Sequence, residues 1–252
     1  MWTGTTGTTG VRTGMRTGMR AGMWFDSGRV CLDLLATDGL EGAGSGCREG
    51  MGEGLREGLR EGGRGGAGQG SGEGLREGLR EGLREGLRDG DALRLWLVGA
   101  GLVPDHTPLR RLGPDWVEAF RALRHDVGTL VRAELAGTGP EEEALARVNA
   151  AAAGPPPGVC AVRNQEGHLV RELCGGVECA GMLATVARDA VELLTDPGDL
   201  ALIRSCEGDG CARLYLDTSR GRRRRWCSSE LCGNRERVAR HRRRVREVAG
   251  AG

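Results

Sequence analysis

Four cysteines near the C-terminal end carry the clearest chemistry in the 252-residue sequence. Cys206 and Cys211 are separated by four residues, Cys227 and Cys232 by another four, and fifteen residues lie between the pairs. A tight turn across such a gap aims two thiolates at one ion, and Gly208 and Gly210 relax the first turn. Zinc takes four nitrogen or sulfur ligands in a tetrahedron, which these four residues supply unaided. A catalytic zinc keeps a water beside three protein ligands, whereas four thiolates close the shell, so one structural Zn2+ is expected. Zinc binding is then folding free energy for a short segment with few large apolar groups. Arg213 to Asp217 alternates like a strand, Ser219-Arg220-Gly221 can turn, and Arg222 to Trp226 is expected to return antiparallel, bringing the pairs together. Tyr215 and Trp226 are expected to pack over the metal.

Dense positive charge surrounds the quartet. Residues 1–203 carry 22 Arg against 29 Asp and Glu, a net −7, while residues 204–252 carry 14 Arg against 6 acids, a net +8. Every basic side chain is Arg, which together with the Gly and Ala excess fits GC-rich coding. Arg222, Arg223, Arg224 and Arg225 precede the third Cys; Arg235, Arg237, Arg240, Arg242, Arg243, Arg244 and Arg246 follow the fourth. Beyond Cys232 the pattern reads as a helix with Val238, His241, Val245 and Val248 on one apolar face and Arg over the rest. Eleven Arg between 222 and 246 exceed what solubility needs and point to a phosphate backbone. DNA is the expected partner. RNA and an acidic protein surface share the required charge, the −7 part of the same chain being one such surface. Asn234 is expected to satisfy backbone groups at the turn into the helix, with reading of an adenine edge as its alternative.

The elements that must position this module are mostly helical. Aromatics make up 3% of the chain, enough for an Ala/Leu/Val helical core but hardly for a large β-sandwich. Asp91 is a fair N-cap for a short helix through Leu97, and Pro114 opens a longer one. In that second helix Trp116, Val117, Phe120, Leu123, Val127, Leu130, Val131 and Leu135 recur at helical spacing until Gly137-Thr138-Gly139. Pro140 with Glu141-Glu142-Glu143 starts another helix, and Gly154-Pro155-Pro156-Pro157 breaks it. A small hairpin is expected over Val159 to Leu173, turning near Gln165-Glu166-Gly167. A last long amphipathic face runs from Cys179 to Leu194 and closes at Asp196-Pro197-Gly198. Val30, Leu32, Leu34 and Leu35 form a short apolar element before the turn signal Thr37-Asp38-Gly39.

Two stretches interrupt this order. Residues 1–22 are a Thr/Gly/Met/Arg run expected to be a disordered tail, and an upstream start codon would explain it, with Met15, Met19 or Met23 as the true beginning. Residues 39–90 repeat Glu-Gly-Leu-Arg; each Gly costs a helix about 0.8–1 kcal/mol, so a disordered Gly-rich insertion is expected. The expected fold is therefore mainly α: a helical N-terminal domain over 23–200 containing that insertion, then a zinc-bound β-hairpin plus helix finger over 201–249.

Composition also excludes. The longest apolar stretch, Leu95 to Val103, is nine residues where a bilayer needs about twenty, and no secretory signal is evident, so a cytoplasmic location is expected. Cys174 and Cys179 repeat the four-residue gap but lack a second pair nearby, so no second metal is expected there. Cys31, Cys47 and Cys160 read as small apolar or exposed thiols. His106, His125 and His168 are scattered, no acid, base and nucleophile set assembles, and no enzymatic activity is expected.

The segment Trp226-Cys227-Ser228-Ser229-Glu230-Leu231-Cys232-Gly233-Asn234-Arg235 resembles the signature of the CGNR zinc finger, and Leu216-Asp217-Thr218-Ser219-Arg220 with the Arg run resembles the stretch that precedes it. Val30-Cys31-Leu32-Asp33-Leu34 and the helices from Asp91 to Leu194 resemble more loosely the ABATE domain that commonly precedes this finger. The resemblance implies a bacterial transcription regulator, sometimes described as stress-induced, with the four Cys as zinc ligands and the finger as its DNA-binding part. The N-terminal domain would sense a ligand or form a homodimer. The repeat insertion departs from the family pattern, as does Ala36 before Thr37, where an Asn is usual.

Overall fold

Local signals set most of the elements. In this computed structural model, residues 18–20, 23–38, 85–109, 112–209 and 211–249 are described. Strands β1 (Gly18–Arg20) and β2 (Met23–Phe25) pair antiparallel. Helices α1 (Val30–Leu35), α2 (Gly90–Gly99), α3 (Pro114–Ala136) and α4 (Glu142–Ala153) follow. An antiparallel hairpin of β3 (Gly158–Arg163) and β4 (Leu169–Cys174) leads into α5 (Cys179–Thr195) and the single turn α6 (Pro197–Leu200). Strands β5 (Ile203–Ser205) and β6 (Leu214–Leu216) and helix α7 (Cys232–Ala249) complete the order. No helix among the described residues is long and apolar enough to cross a membrane.

Helix α3 is the spine. Pro114 sits in its first turn, and Gly137 ends it with a φ of 65°, the left-handed value that glycine adopts without a Cβ penalty. Its buried face carries Val117, Phe120, Leu123, Val127, Leu130 and Val131, as the spacing predicts. Helices α4 and α5 pack on it and on each other, α5 burying Met182, Val186, Ala190 and Leu193. Trp96 of α2 meets Phe120 edge to face with ring centroids 5.8 Å apart, so two of the few aromatics anchor one contact. Helix α1 lies against α3 and α5, and the Arg29 guanidinium pairs with Asp189 at 3.0 Å. Between them Asp33 is buried, accepts the Ser27 N–H at 3.0 Å, and is pushed up by burial to about 7.

The boundaries of both low-complexity stretches differ from expectation. Gly18–Arg20, at the end of the first run, forms β1, and the rest of residues 1–22 lies outside the described residues. The last part of the repeat belongs to the fold: Leu87 is fully buried, whereas 39–84 lie outside the described residues. Asp89, with extended backbone, caps α2 by accepting the Ala92 N–H at 2.8 Å; Asp91 is already helical in the first turn and cannot reach back.

A buried arginine holds the last copy of the repeat. Arg124 of α3 donates to both Glu85 carboxylate oxygens at 2.7 and 2.6 Å and to the Thr37 hydroxyl at 3.0 Å, and the Gly86 N–H donates to the Thr37 carbonyl at 3.0 Å. The two ends of the insertion are thus tied at one point on the spine. Burial disfavours ionised Glu85, but hydrogen bonds from Arg124 and from the Leu87 N–H outweigh it and hold its carboxyl below the usual range. This pair stabilises fully above about pH 4.5, the ordinary glutamate value, and the contribution fades as pH falls through the depressed folded-state pKa. Arg124→Leu removes the nearer of the two cations on Glu85, leaving Arg121 at 3.8 Å, and should cost about 2–4 kcal/mol at neutral pH, read as a lower urea midpoint. The loss should shrink on acidification, and an unchanged midpoint would contradict the clasp.

Candidate metal centre

The first cysteine pair sits in the loop of a hairpin. Strands β5 and β6 pair in the register Ile203↔Leu216, Arg204↔Tyr215, Ser205↔Leu214, and the Cys206 N–H bonded to the Arg213 carbonyl at 2.9 Å continues the pairing into the loop. The Cys211 N–H donates to the Gly208 carbonyl at 2.9 Å and closes the turn between the two thiols. Cys227 arrives on an irregular segment laid against this loop by a 2.9 Å bond from the Glu207 N–H to the Arg225 carbonyl, and Cys232 is the first residue of α7.

The partner of β6 is therefore β5, not the expected return strand Arg222 to Trp226. That segment is shaped by Asp217, whose carboxylate accepts the N–H groups of Ser219 and Arg224, both at 3.0 Å, and the Ser219 hydroxyl at 2.5 Å. Arg222 takes a φ of 48°, incompatible with a strand. A side-chain-capped loop replaces the ladder.

The four Sγ atoms lie within 4.8 Å of one another, with Cys211 to Cys227 at 3.8 Å and Cys227 to Cys232 at 3.6 Å. A tetrahedron with Zn–S bonds of about 2.3 Å has sulfur–sulfur edges of about 3.8 Å. The quartet fits one structural zinc ion. Two backbone N–H groups, of Gly208 at 3.4 Å and Cys227 at 3.2 Å, point at the Cys206 sulfur, and an Arg235 nitrogen is 3.7 Å from the Cys232 sulfur. The thiols also perturb one another: contacts from Cys211, Cys227 and Cys232 pull Cys206 far below the usual thiol value. For Cys211 the upward push from Cys206 is outweighed by Cys227 and Cys232, leaving it at about 6. Cys227 is driven up by its three neighbours and by burial, and Cys232 by Cys206, Cys211 and burial against a downward pull from Cys227. A divalent ion among them lets all four ionise. Position 208 is tight: a Cβ there would lie 3.1 Å from the Cys232 Cβ and 3.2 Å from its sulfur, so a larger residue would press on the quartet.

Packing around the quartet matches expectation for the rings and corrects it for several polar residues. Tyr215 is fully buried beside Cys206, Cys227 and Cys232, its hydroxyl donating to the Arg224 carbonyl at 2.6 Å, and Trp226 is half-buried against the same cluster. Arg224, expected to face nucleic acid, is an internal strut. Its guanidinium lies 4.6 Å from the Tyr215 ring centroid and donates to the Asp26 carboxylate at 3.0 Å, the Trp226 carbonyl at 2.9 Å and the Cys227 carbonyl. Arg225 pairs with Glu207 at 2.6 Å, and Arg235 donates to the Asp209 carbonyl at 2.6 Å. Arg237 reaches the Gly233 and Ser229 carbonyls, both at 3.3 Å, while remaining exposed. Arg222, Arg223, Arg240, Arg242, Arg243 and Arg244 are exposed.

The expected turn role of Asn234 falls instead to Ser228, whose hydroxyl accepts the N–H groups of Glu230 at 3.1 Å and Leu231 at 3.2 Å; Asn234 is exposed in the first turn of α7. The expected apolar face of α7 is open. Val238 is 42% and Val245 53% exposed, and His241 is exposed, because this 18-residue helix runs past the small body that holds its start. Sequence reasoning missed Ser228, Glu207, Asp26 and Ser27, whose carbonyl accepts the Leu216 N–H at 2.8 Å. Ser228 shortly before a helix was a readable capping signal; Asp26 and Ser27 lie far away in the chain and gave none.

Comparison with known families agrees with this geometry. The CGNR zinc finger family matches residues 203–245. The ABATE family, whose description reads "Putative stress-induced transcription regulator", matches residues 28–197, two thirds of the chain. No curated protein matches the sequence.

Cys227→Ser removes a sulfur that lies 3.8 Å from Cys211 and 3.6 Å from Cys232. Zinc content of the purified full chain should fall from one per chain to below about a tenth, given how much of such a module's folding free energy is metal binding. Amide exchange at Tyr215 and Leu216 should quicken in parallel. Full zinc content with unchanged protection would remove the assignment.

Proposed function

We propose, from the premise that this chain belongs to the ABATE family and ends in a CGNR zinc finger, that it is a zinc-dependent DNA-binding transcription regulator. The supporting observation is the exposed arginine array on α7, a helix whose first residue is itself one of the four sulfur donors. A long cationic side chain loses rotamer entropy when it pairs with phosphate, and anchoring the helix start reduces what must be ordered on binding. Arg237, Arg240 and Arg244 follow one another at three- and four-residue steps down one side of the helix, and Arg242 and Arg243 flank them. Arg222 and Arg223 extend the charge into the loop before Cys227.

On this reading the arginines supply affinity by displacing counterions, and sequence is read by one or two of them at guanine edges. Arg224 shapes the finger, while Arg225, exposed beside Glu207, stays with the phosphate-facing arginines. The helical N-terminal domain senses a ligand or self-associates, an assignment resting on family analogy, and the protein acts at the nucleoid in the cytoplasm.

Anisotropy titrations of the zinc-loaded full chain on duplex DNA, hairpin RNA and an acidic peptide at graded salt test the proposal. Neutralising about six phosphates gives a slope of about −5 in log affinity against log salt, and Arg240→Ala with Arg243→Ala should make it shallower by about two. Tighter binding to hairpin RNA than to any duplex would replace DNA by RNA. Salt-dependent binding to the acidic peptide alone would make the finger a protein interaction module.

A further inference from the structure

We infer that Asp33 is a proton-binding site coupling the helical body to the finger: its side chain holds a proton at Oδ2, and losing that proton loosens the contact between Ser27 and Leu216. The site is built from burial and a shortage of donors. Asp33, on α1, is 1% exposed. Its Oδ1 accepts the Ser27 N–H at 3.0 Å, whereas Oδ2 is shut off from solvent and has no hydrogen-bond partner among the described residues. An ionised carboxylate has about four acceptor sites to satisfy, and here it finds one donor. Burying a charge in that state costs far more than burying the neutral acid, so the proton stays on.

The charged groups on the elements around Asp33 do not relieve it. Arg29, just before α1, is taken up by Asp189 and Glu192 of α5 and Asp199 of α6. Asp189 also accepts the Cys31 N–H at 2.8 Å, and the fully buried Cys31 thiol is pushed well above its usual value by burial. On α3, Arg124 is held by Glu85 and Thr37, and Arg132 lies beside Gly128. Beyond β6, the Asp217 carboxylate accepts the Ser219 and Arg224 N–H groups, and the Arg224 guanidinium is on Asp26. Among the described residues no cation pairs with Asp33. Burial lifts it to about 7 against the pull of Ser27, and the Asp189 and Asp26 carboxylates add to the lift.

The segment that Asp33 holds is the one that grips the finger. The Ser27 carbonyl accepts the Leu216 N–H at 2.8 Å, and Asp26 beside it takes Arg224. Gly28 reverses the chain with a φ of 88°, and a Cβ there would stand 3.1 Å from the Leu216 Cβ, so this turn lies directly on β6. Opening the turn lets water reach Oδ2 and restores the ordinary carboxyl value of 3.8, well below the closed value of about 7. The closed form therefore binds the proton more tightly. As pH rises from about 4 to about 7 the open form has shed its proton while the closed form keeps it, and closure loses ground; above about 7 both are ionised and the dependence ends. Opening should rise about tenfold between about pH 6 and about pH 8.

NMR of the zinc-loaded full chain tests both halves of the inference. The Asp33 carboxyl carbon should titrate with a midpoint of about 7. Protection of the Leu216 amide, corrected for intrinsic exchange, should fall about tenfold from about pH 6 to about pH 8 with zinc retained. Asp33→Asn, neutral at every pH, should keep Leu216 protection level over that range. A carboxyl midpoint below about 5 in the unaltered chain would overturn the inference without recourse to any variant. So would Leu216 protection that stays flat while Asp33 titrates, or the same pH-dependent loss persisting in Asp33→Asn.

Discussion

Four ionisable sulfurs within 4.8 Å of one another cannot all carry charge unless a cation stands among them. That constraint shapes everything at the C-terminal end. The four cysteines come from three local structures, a hairpin loop, an irregular segment and a helix start, none of which buries much apolar surface on its own account. A metal ion makes their meeting favourable, and Gly208, the inward-pointing N–H groups and the neighbouring arginines make it geometrically and electrostatically possible.

Arg224 and the strands of the finger join this site to the rest of the chain. Arg224 reads in the sequence as one more member of a basic run, yet it holds Asp26, the Trp226 and Cys227 carbonyls and the Tyr215 ring together. Ile203 and Leu216 pack into the helical core, and the Ser27 carbonyl takes the Leu216 N–H. Asp33, buried beneath, fixes Ser27 in turn. The finger is therefore continuous with the helical body through its strands, while the length of α7 beyond its first turn is left exposed with its arginines. An arrangement of this kind fixes the origin of a charged helix and leaves its surface available.

What the sequence made legible was local. The buried face of α3 follows from periodicity and from Pro114 and Gly137 at its ends, and the β3–β4 turn from Gln165-Glu166-Gly167. The metal quartet follows from two equal spacings. What escaped depends on partners distant in the chain. In the sequence Leu87 looks like every other leucine of its repeat, yet it is fully buried, two residues beyond the Glu85 that Arg124 holds. Strand β6 could not be assigned to β5 from three residues on each side of a ligand loop, and the Asp26 contact of Arg224 crosses most of the chain. Amphipathicity in α7 gave the face but not whether anything covers it.

The most direct measurement is X-ray absorption at the zinc edge on the purified full chain. The structure predicts one zinc per chain in a shell of four sulfurs at about 2.3 Å with no nitrogen or oxygen ligand. A mixed shell, fewer sulfurs, or a folded C-terminal segment without metal would contradict it.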